Sequence, residues 1–93
     1  MWTIVMHRDV EKSLRKVPAS VRRSFAVWIG VAQSEGPIGL RAARGFNDEA
    51  LKGKWAGHRS SRLNKQYRVI YRVHADVVEM LVLDVTAHDY RRK

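Results

Sequence analysis

The chain of 93 residues contains no cysteine. Neither a disulfide framework nor a thiolate metal site is therefore open to it. Its four histidines, His7, His58, His74 and His88, are scattered and offer none of the short ligand spacings that zinc sites use. No apolar run approaches the roughly 20 residues that a membrane-spanning helix needs. The opening, Met-Trp-Thr-Ile-Val-Met-His-Arg-Asp, has neither the basic start nor the long apolar centre of a signal peptide. A cytoplasmic protein with no membrane partner is expected. Acidic side chains are also scarce: 9 Asp and Glu stand against 18 Lys and Arg, a formal net charge of +9.

What is present is enough for a core. The chain is 45% hydrophobic, above what a disordered segment carries. Its length fits one small domain over residues 1–93, because two independent cores would not fit. An excess of positive charge this large in so short a chain points to a phosphate-rich or acidic-protein partner. The plainer alternative is that the charge serves solubility alone.

Read in order, residues 2–6 are short, apolar and β-rich, and they predict a first strand. Asp9 is placed to cap a following helix, in which Val10, Leu14 and Val17 recur at helical spacing. Pro18 ends that helix, and Ser20 is a cap for a second. Val21, Phe25, Trp28, Ile29 and Ala32 then form one apolar stripe, which reads as core packing rather than a cofactor groove. Gly36-Pro37-Ile38-Gly39 should end the helical region, leaving residues 40–58 as a long connection in which Asp48 and Glu49 are the only acids.

Residues 52–73 hold Lys52, Lys54, Arg59, Arg62, Lys65, Arg68 and Arg72 and no acid at all. A basic run is usually a solvated face. Within this one, however, Tyr67, Val69, Tyr71 and Val73 alternate with Gln66, Arg68, Ile70 and Arg72. That period of two predicts a strand with one face in a core and two arginines on the other. After a turn at His74-Ala75-Asp76, residues 77–85 are almost continuously apolar, as in a central strand covered on both faces. The expected fold is α+β. A small, antiparallel-rich sheet in the order β-α-α-β-β-β carries the helical hairpin on one face and leaves the other open and arginine-rich.

The Leu-Lys-Gly linker (residues 51–53), Trp-Ala-Gly-His-Arg-Ser-Ser-Arg-Leu (55–63), Gln-Tyr-Arg-Val-Ile-Tyr (66–71) and the terminal His-Asp-Tyr-Arg-Arg (88–92), in this order, resemble the RelE/ParE superfamily of bacterial toxins. The resemblance covers essentially the whole chain and implies a RelE-like fold. In the RelE, YoeB, HigB and YafQ branches it implies a ribosome-dependent endoribonuclease that cuts mRNA in the decoding site, beside the 16S rRNA. In the ParE branch it implies a poison of DNA gyrase that acts by protein contact. Either way the partner is a cognate antitoxin, and neither a cofactor nor a metal is implied. A basic nucleic-acid-binding module without catalysis is a third reading.

Residue by residue, the resemblance places Arg68 on the scissile phosphate and Arg62 at the basic position of the preceding strand. His88 and Tyr90 fall in the C-terminal segment that supplies a His or Tyr, and Glu49 lies near the general base of the YoeB branch. Such cleavage deprotonates the 2′-hydroxyl, stabilises charge on phosphorus oxygens and protonates the leaving 5′-oxygen. Guanidinium forks suit the second task. Lys52, Lys54, His58, Arg59, Arg72 and Arg91 are candidates for holding neighbouring phosphates or bases. Arg72 has the competing reading of an ion pair with Glu79 or Asp84. Trp55 reads as a plug for the linker, and Tyr67 and Tyr71 as core.

Overall fold

The computed structural model describes residues 1–87. Strand β1 (Thr3–Met6) leads into helices α1 (Arg8–Lys16) and α2 (Ala19–Ala42), and four strands follow: β2 (Glu49–Ala50), β3 (Arg59–Arg62), β4 (Arg68–His74) and β5 (Glu79–Thr86). Among the described residues these make one five-stranded mixed sheet in the order β1-β5-β4-β3-β2. The expected α+β architecture is present. Two details are new: β2 is an extra two-residue strand inside the long connection, and β1 pairs with β5 in parallel rather than antiparallel fashion. A parallel neighbour is possible because the chain between β1 and β5 runs through both helices and three strands, far longer than the crossover that parallel strands require.

Helix α1 is capped by His7, whose Nδ1 accepts from the Asp9 backbone N–H at 3.1 Å, so Asp9 is not the cap. At its far end Arg22 of α2 donates Nη1 to the carbonyls of Val17 (2.7 Å) and Leu14 (3.2 Å). The last carbonyls of a helix lack internal partners, and a guanidinium supplies both hydrogen bonds and favourable charge there. Nor does Ser20 cap α2. That helix starts at Ala19, with Pro18 in the cap position and no side-chain cap.

The helical region also runs on past Gly36-Pro37, to Ala42. The two residues kink it instead, with Gly36 at φ 67°. Pro37 has no N–H to give to the carbonyl four residues back, that of Gln33. The backbone N–H of Trp2 fills the place, donating to Gln33 at 2.9 Å. The Trp2 indole lies where a Cβ on residue 36 would sit, so both the close approach and the positive φ require glycine. In this way the kink ties β1 to α2.

The core is the apolar side of that arrangement. Val10, Val17, Val21, Phe25, Trp28, Ala32 and Leu40 from the helices meet Leu63, Val69, Tyr71, Met80, Val82 and Val85 from the sheet and the β3–β4 turn. Trp28 is fully buried, stacks on Phe25 at 5.8 Å and meets Tyr71 edge-on at 5.2 Å. In β5, Met80, Val82 and Val85 are buried while Leu81 and Leu83 are only half-buried, so the strand is central but not covered equally on both faces. Val77 and Val78 lie before it, in a turn.

Replacing Trp28 by alanine should cost about 3–5 kcal/mol in urea-unfolding free energy. Replacing the neighbouring Val27, 61% exposed, should stay within about 0.5 kcal/mol.

Candidate nucleic-acid interface

Strand register decides which arginines can meet a ligand. Directly opposed residues in an antiparallel pair share a face, and successive residues alternate. One set of rows faces the helices: Ala50–Arg59–Tyr71 and Ser61–Val69–Val85. The other set faces away: Glu49–Ser60–Ile70 and, next along the strands, Arg62–Arg68–Thr86. The two outward rows are about 7 Å apart along the strands.

On the helix side lies a cluster that the residue pattern does not announce. The Asp48 side chain is 0% exposed and accepts from Arg59 Nε at 2.7 Å, from Ser61 Oγ at 2.6 Å and from the Tyr71 hydroxyl. A buried carboxylate is costly unless paired and hydrogen-bonded, and here it is both. Burial works against the charged Arg59 guanidinium, but the hydrogen bond and charge of Asp48 outweigh it and lift its pKa above the ordinary arginine value. Burial pushes the Tyr71 phenol up as well, and the hydrogen bond to Asp48 and its charge add to the shift. Arg59, expected among the phosphate-holding residues, is therefore turned to the opposite face and committed to Asp48. Its register with Tyr71, not its place in a basic stretch, decides this.

On the outward side Arg62 and Arg68 stand directly opposite each other. Like charges so placed destabilise a sheet. Their mutual position is fixed by the turn between them, where Asn64 Oδ1 accepts from the backbone N–H groups of Gln66 (2.8 Å) and Tyr67 (2.7 Å) and the Leu63 N–H donates to the Tyr67 carbonyl at 2.9 Å. Asparagine favours this kind of turn through its side-chain carbonyl. Both arginines are half-buried. The Nε of Arg62 and one terminal nitrogen of Arg68, Nη1, are buried with no acceptor among the described residues. A buried N–H without an acceptor is expensive, and two of them on facing guanidinium groups are arranged for an anion. Glu49 stands in the next row, on the same face. That face is not bare, since Ser60 is 0% and Ile70 2% exposed although both lie outside the main core cluster.

The remaining candidates are spread out. Arg72 lies further along β4, exposed, with no ion pair among the described residues, and Glu79 meets His74 instead, at 3.6 Å. Lys52 and Lys54 are exposed at the 3-10 turn Gly53–Trp55. His58 closes that turn: its Nδ1 lies 3.2 Å from the Trp55 carbonyl and 3.3 Å from that of Ala56, and its ring meets Trp55 edge-on at 5.5 Å. Trp55 thus packs locally and not into the main cluster. His88, Tyr90 and Arg91 lie outside the described residues. No group of three or more metal-ligating side chains forms among the described residues.

Comparison with known proteins bears on the fold. No protein-family model matches the chain, and no curated protein matches it significantly. Solved structures do. RelE from the RelE–RelB complex of the archaeon Pyrococcus horikoshii is similar at 25% identity and a TM-score of 0.72, over 91% of this chain and 92% of that one. A YoeB/ParE toxin from Agrobacterium tumefaciens is similar at 24% identity and 0.70, over 92% and 98%. YafQ from E. coli superposes with a TM-score of 0.74 over the full length of both chains, at 12% identity. The chain has the RelE/YoeB-like toxin fold. Among the described residues no helix is long and apolar enough to cross a membrane.

The Tyr71–Asp48 contact carries a pH signature. Folded Tyr71 holds its proton above the ordinary phenol range while the unfolded chain ionises near pH 10. Stability from this group is therefore complete below about pH 10 and is lost as pH rises beyond it. Tyr71→Phe should make the fall in unfolding free energy between pH 9 and about 11 shallower than in wild type, as read by denaturant titration at each pH.

Proposed function

We propose that this protein is the toxin of a type II toxin–antitoxin system and acts as a ribosome-dependent endoribonuclease on mRNA. The observation that carries the reading is the Arg62–Arg68 pair, with a buried donor on each guanidinium and no acceptor for either among the described residues. The fold supports it, being shared with toxins of the RelE, YoeB and YafQ kinds.

In the reaction the two guanidinium groups hold the scissile phosphate through its non-bridging oxygens. Their N–H donors strengthen as negative charge builds there when the 2′-oxygen attacks phosphorus. Glu49, on the same face and one row away, is assigned to take the 2′-hydroxyl proton. His88 and Tyr90 are assigned to protonation of the departing 5′-oxygen and to stacking on an unpaired base, a common mode of RNA recognition. Lys52, Lys54 and Arg72 contribute charge to the backbone path and Arg91 extends it. Outside a ribosome that positive field gives affinity without position; the decoding site supplies the substrate geometry. No metal takes part in the scheme.

The neutralising partner is a cognate antitoxin; the archaeal RelE is likewise held in a complex, with RelB. With a net charge of +9, an acidic antitoxin segment is captured quickly by electrostatic steering. The cytoplasm is the compartment that holds both ribosomes and antitoxin.

Arg68→Ala and Arg62→Ala should each lower cleavage about 100-fold or more, with unfolding curves close to wild type. Primer extension on a reporter mRNA after brief induction reads this directly. Cuts at codon positions that vanish when ribosomes are blocked support the proposal. Growth arrest with uncut mRNA and impaired gyrase supercoiling would replace it with gyrase poisoning. Salt-sensitive RNA binding with neither cuts nor arrest would leave a binding module.

A further inference from the structure

The buried Asp48 cluster has no part in the reaction as written, yet it lies one residue from the proton acceptor assigned above. Strand β2, which carries Glu49, is two residues long. It is entered through Asn47, a left-handed residue at φ 44°, and lies between the 3-10 turns Arg44–Phe46 and Gly53–Trp55. Two residues of ladder give little main-chain hold on a strand's register. Asp48 supplies the hold. Its carboxylate takes donors from Arg59 and Ser61 on β3 and from Tyr71 on β4, so one side chain ties the start of the edge strand β2 to its neighbour β3 and to β4 beyond it. Because successive side chains alternate, locking Asp48 on the helix side commits Glu49 to the outward side. A slip of one residue would exchange the two carboxylates and remove Glu49 from the Arg62–Arg68 face.

The geometry points to Asp48 as a positioning residue: its buried anchorage by Arg59, Ser61 and Tyr71 sets the register of β2 and thereby holds Glu49 on the face of Arg62 and Arg68. The inference rests on the ribonuclease reading for the purpose of the register, though not for the anchorage itself.

Two readouts test it in Asp48→Asn and in the milder Tyr71→Phe, which keeps Arg59 and Ser61 on the carboxylate. The first is amide exchange. The Leu51 N–H, bonded to the His58 carbonyl at 2.9 Å, reports on the end of β2. The Val69 amide in the buried centre of β4 reports on global opening. In Asp48→Asn the Leu51 rate should rise at least tenfold more than that of Val69, with a smaller selective rise in Tyr71→Phe. Equal acceleration of both amides, or none, would overturn the proposal.

The second readout is cleavage on mRNA-programmed ribosomes. Asp48→Asn should lower the single-turnover rate at least tenfold with less than a twofold change in the half-saturating ribosome concentration. In a Glu49→Ala background the same substitution should cost nothing further. An equal loss in both backgrounds would make Asp48 a structural residue only and defeat the proposal. If wild-type protein cuts nothing, the ribonuclease reading falls by itself, and the Leu51-to-Val69 exchange ratio still decides whether Asp48 holds the strand.

Discussion

Asp48 is a carboxylate with no exposed surface, and three donors from two strands converge on it. That convergence ties the start of β2 to β3 and β4. An unpaired carboxylate in this place would be strongly destabilising, so the strands that carry Arg59, Ser61 and Tyr71 are held in the register that satisfies it. Period-two alternation then does the rest. With Arg59 and Ser61 inward, Ser60 and Arg62 face outward; with Tyr71 and Val69 inward, Ile70 and Arg68 face outward. The facing guanidinium groups of the outer side are thus a consequence of how the inner side is satisfied.

The opposite edge of the sheet rests on a similar exchange of orphaned groups. Pro37 leaves the Gln33 carbonyl without its helical donor, the Trp2 N–H takes it, and β1 is thereby set beside α2. Strand β1 pairs in parallel with β5, and β5 with β4 in antiparallel fashion, so the helical hairpin and the arginine-bearing strands form one connected frame. Arg22, capping the end of α1, closes the hairpin itself. Arginines in this chain have at least three separate uses: capping a helix, neutralising a buried acid, and presenting charge outward.

That division explains what could and could not be read from residues alone. The alternation of Tyr67, Val69, Tyr71 and Val73 made β4 and its buried face legible, and with them the outward placement of Arg68. The apolar stripe of α2 was equally plain. Arg59 was not distinguishable from Arg62, because both stand in one basic stretch and only the pairing with β4 separates them. Asp48 lay in an apparent connection, and nothing local shows that an acid 23 residues away will accept from the Tyr71 hydroxyl. The stop signal at Gly36-Pro37 was real but local: the helix breaks at Gly36, Trp2 supplies the donor that the proline withholds, and a second helical stretch runs on to Ala42. His88 and Tyr90 carry roles implied by resemblance and lie outside the described residues.

The central claim is that the outward Arg62–Arg68 pair, and not the inward Arg59, is the phosphate-binding element. Side-chain Nε–H resonances of the arginines, followed by NMR during titration with a short single-stranded RNA, test this most directly. The account predicts saturable shifts at Arg62 and Arg68 and an unmoved Arg59 resonance, locked to Asp48. Shifts at Arg59 with Arg62 and Arg68 unchanged would contradict it.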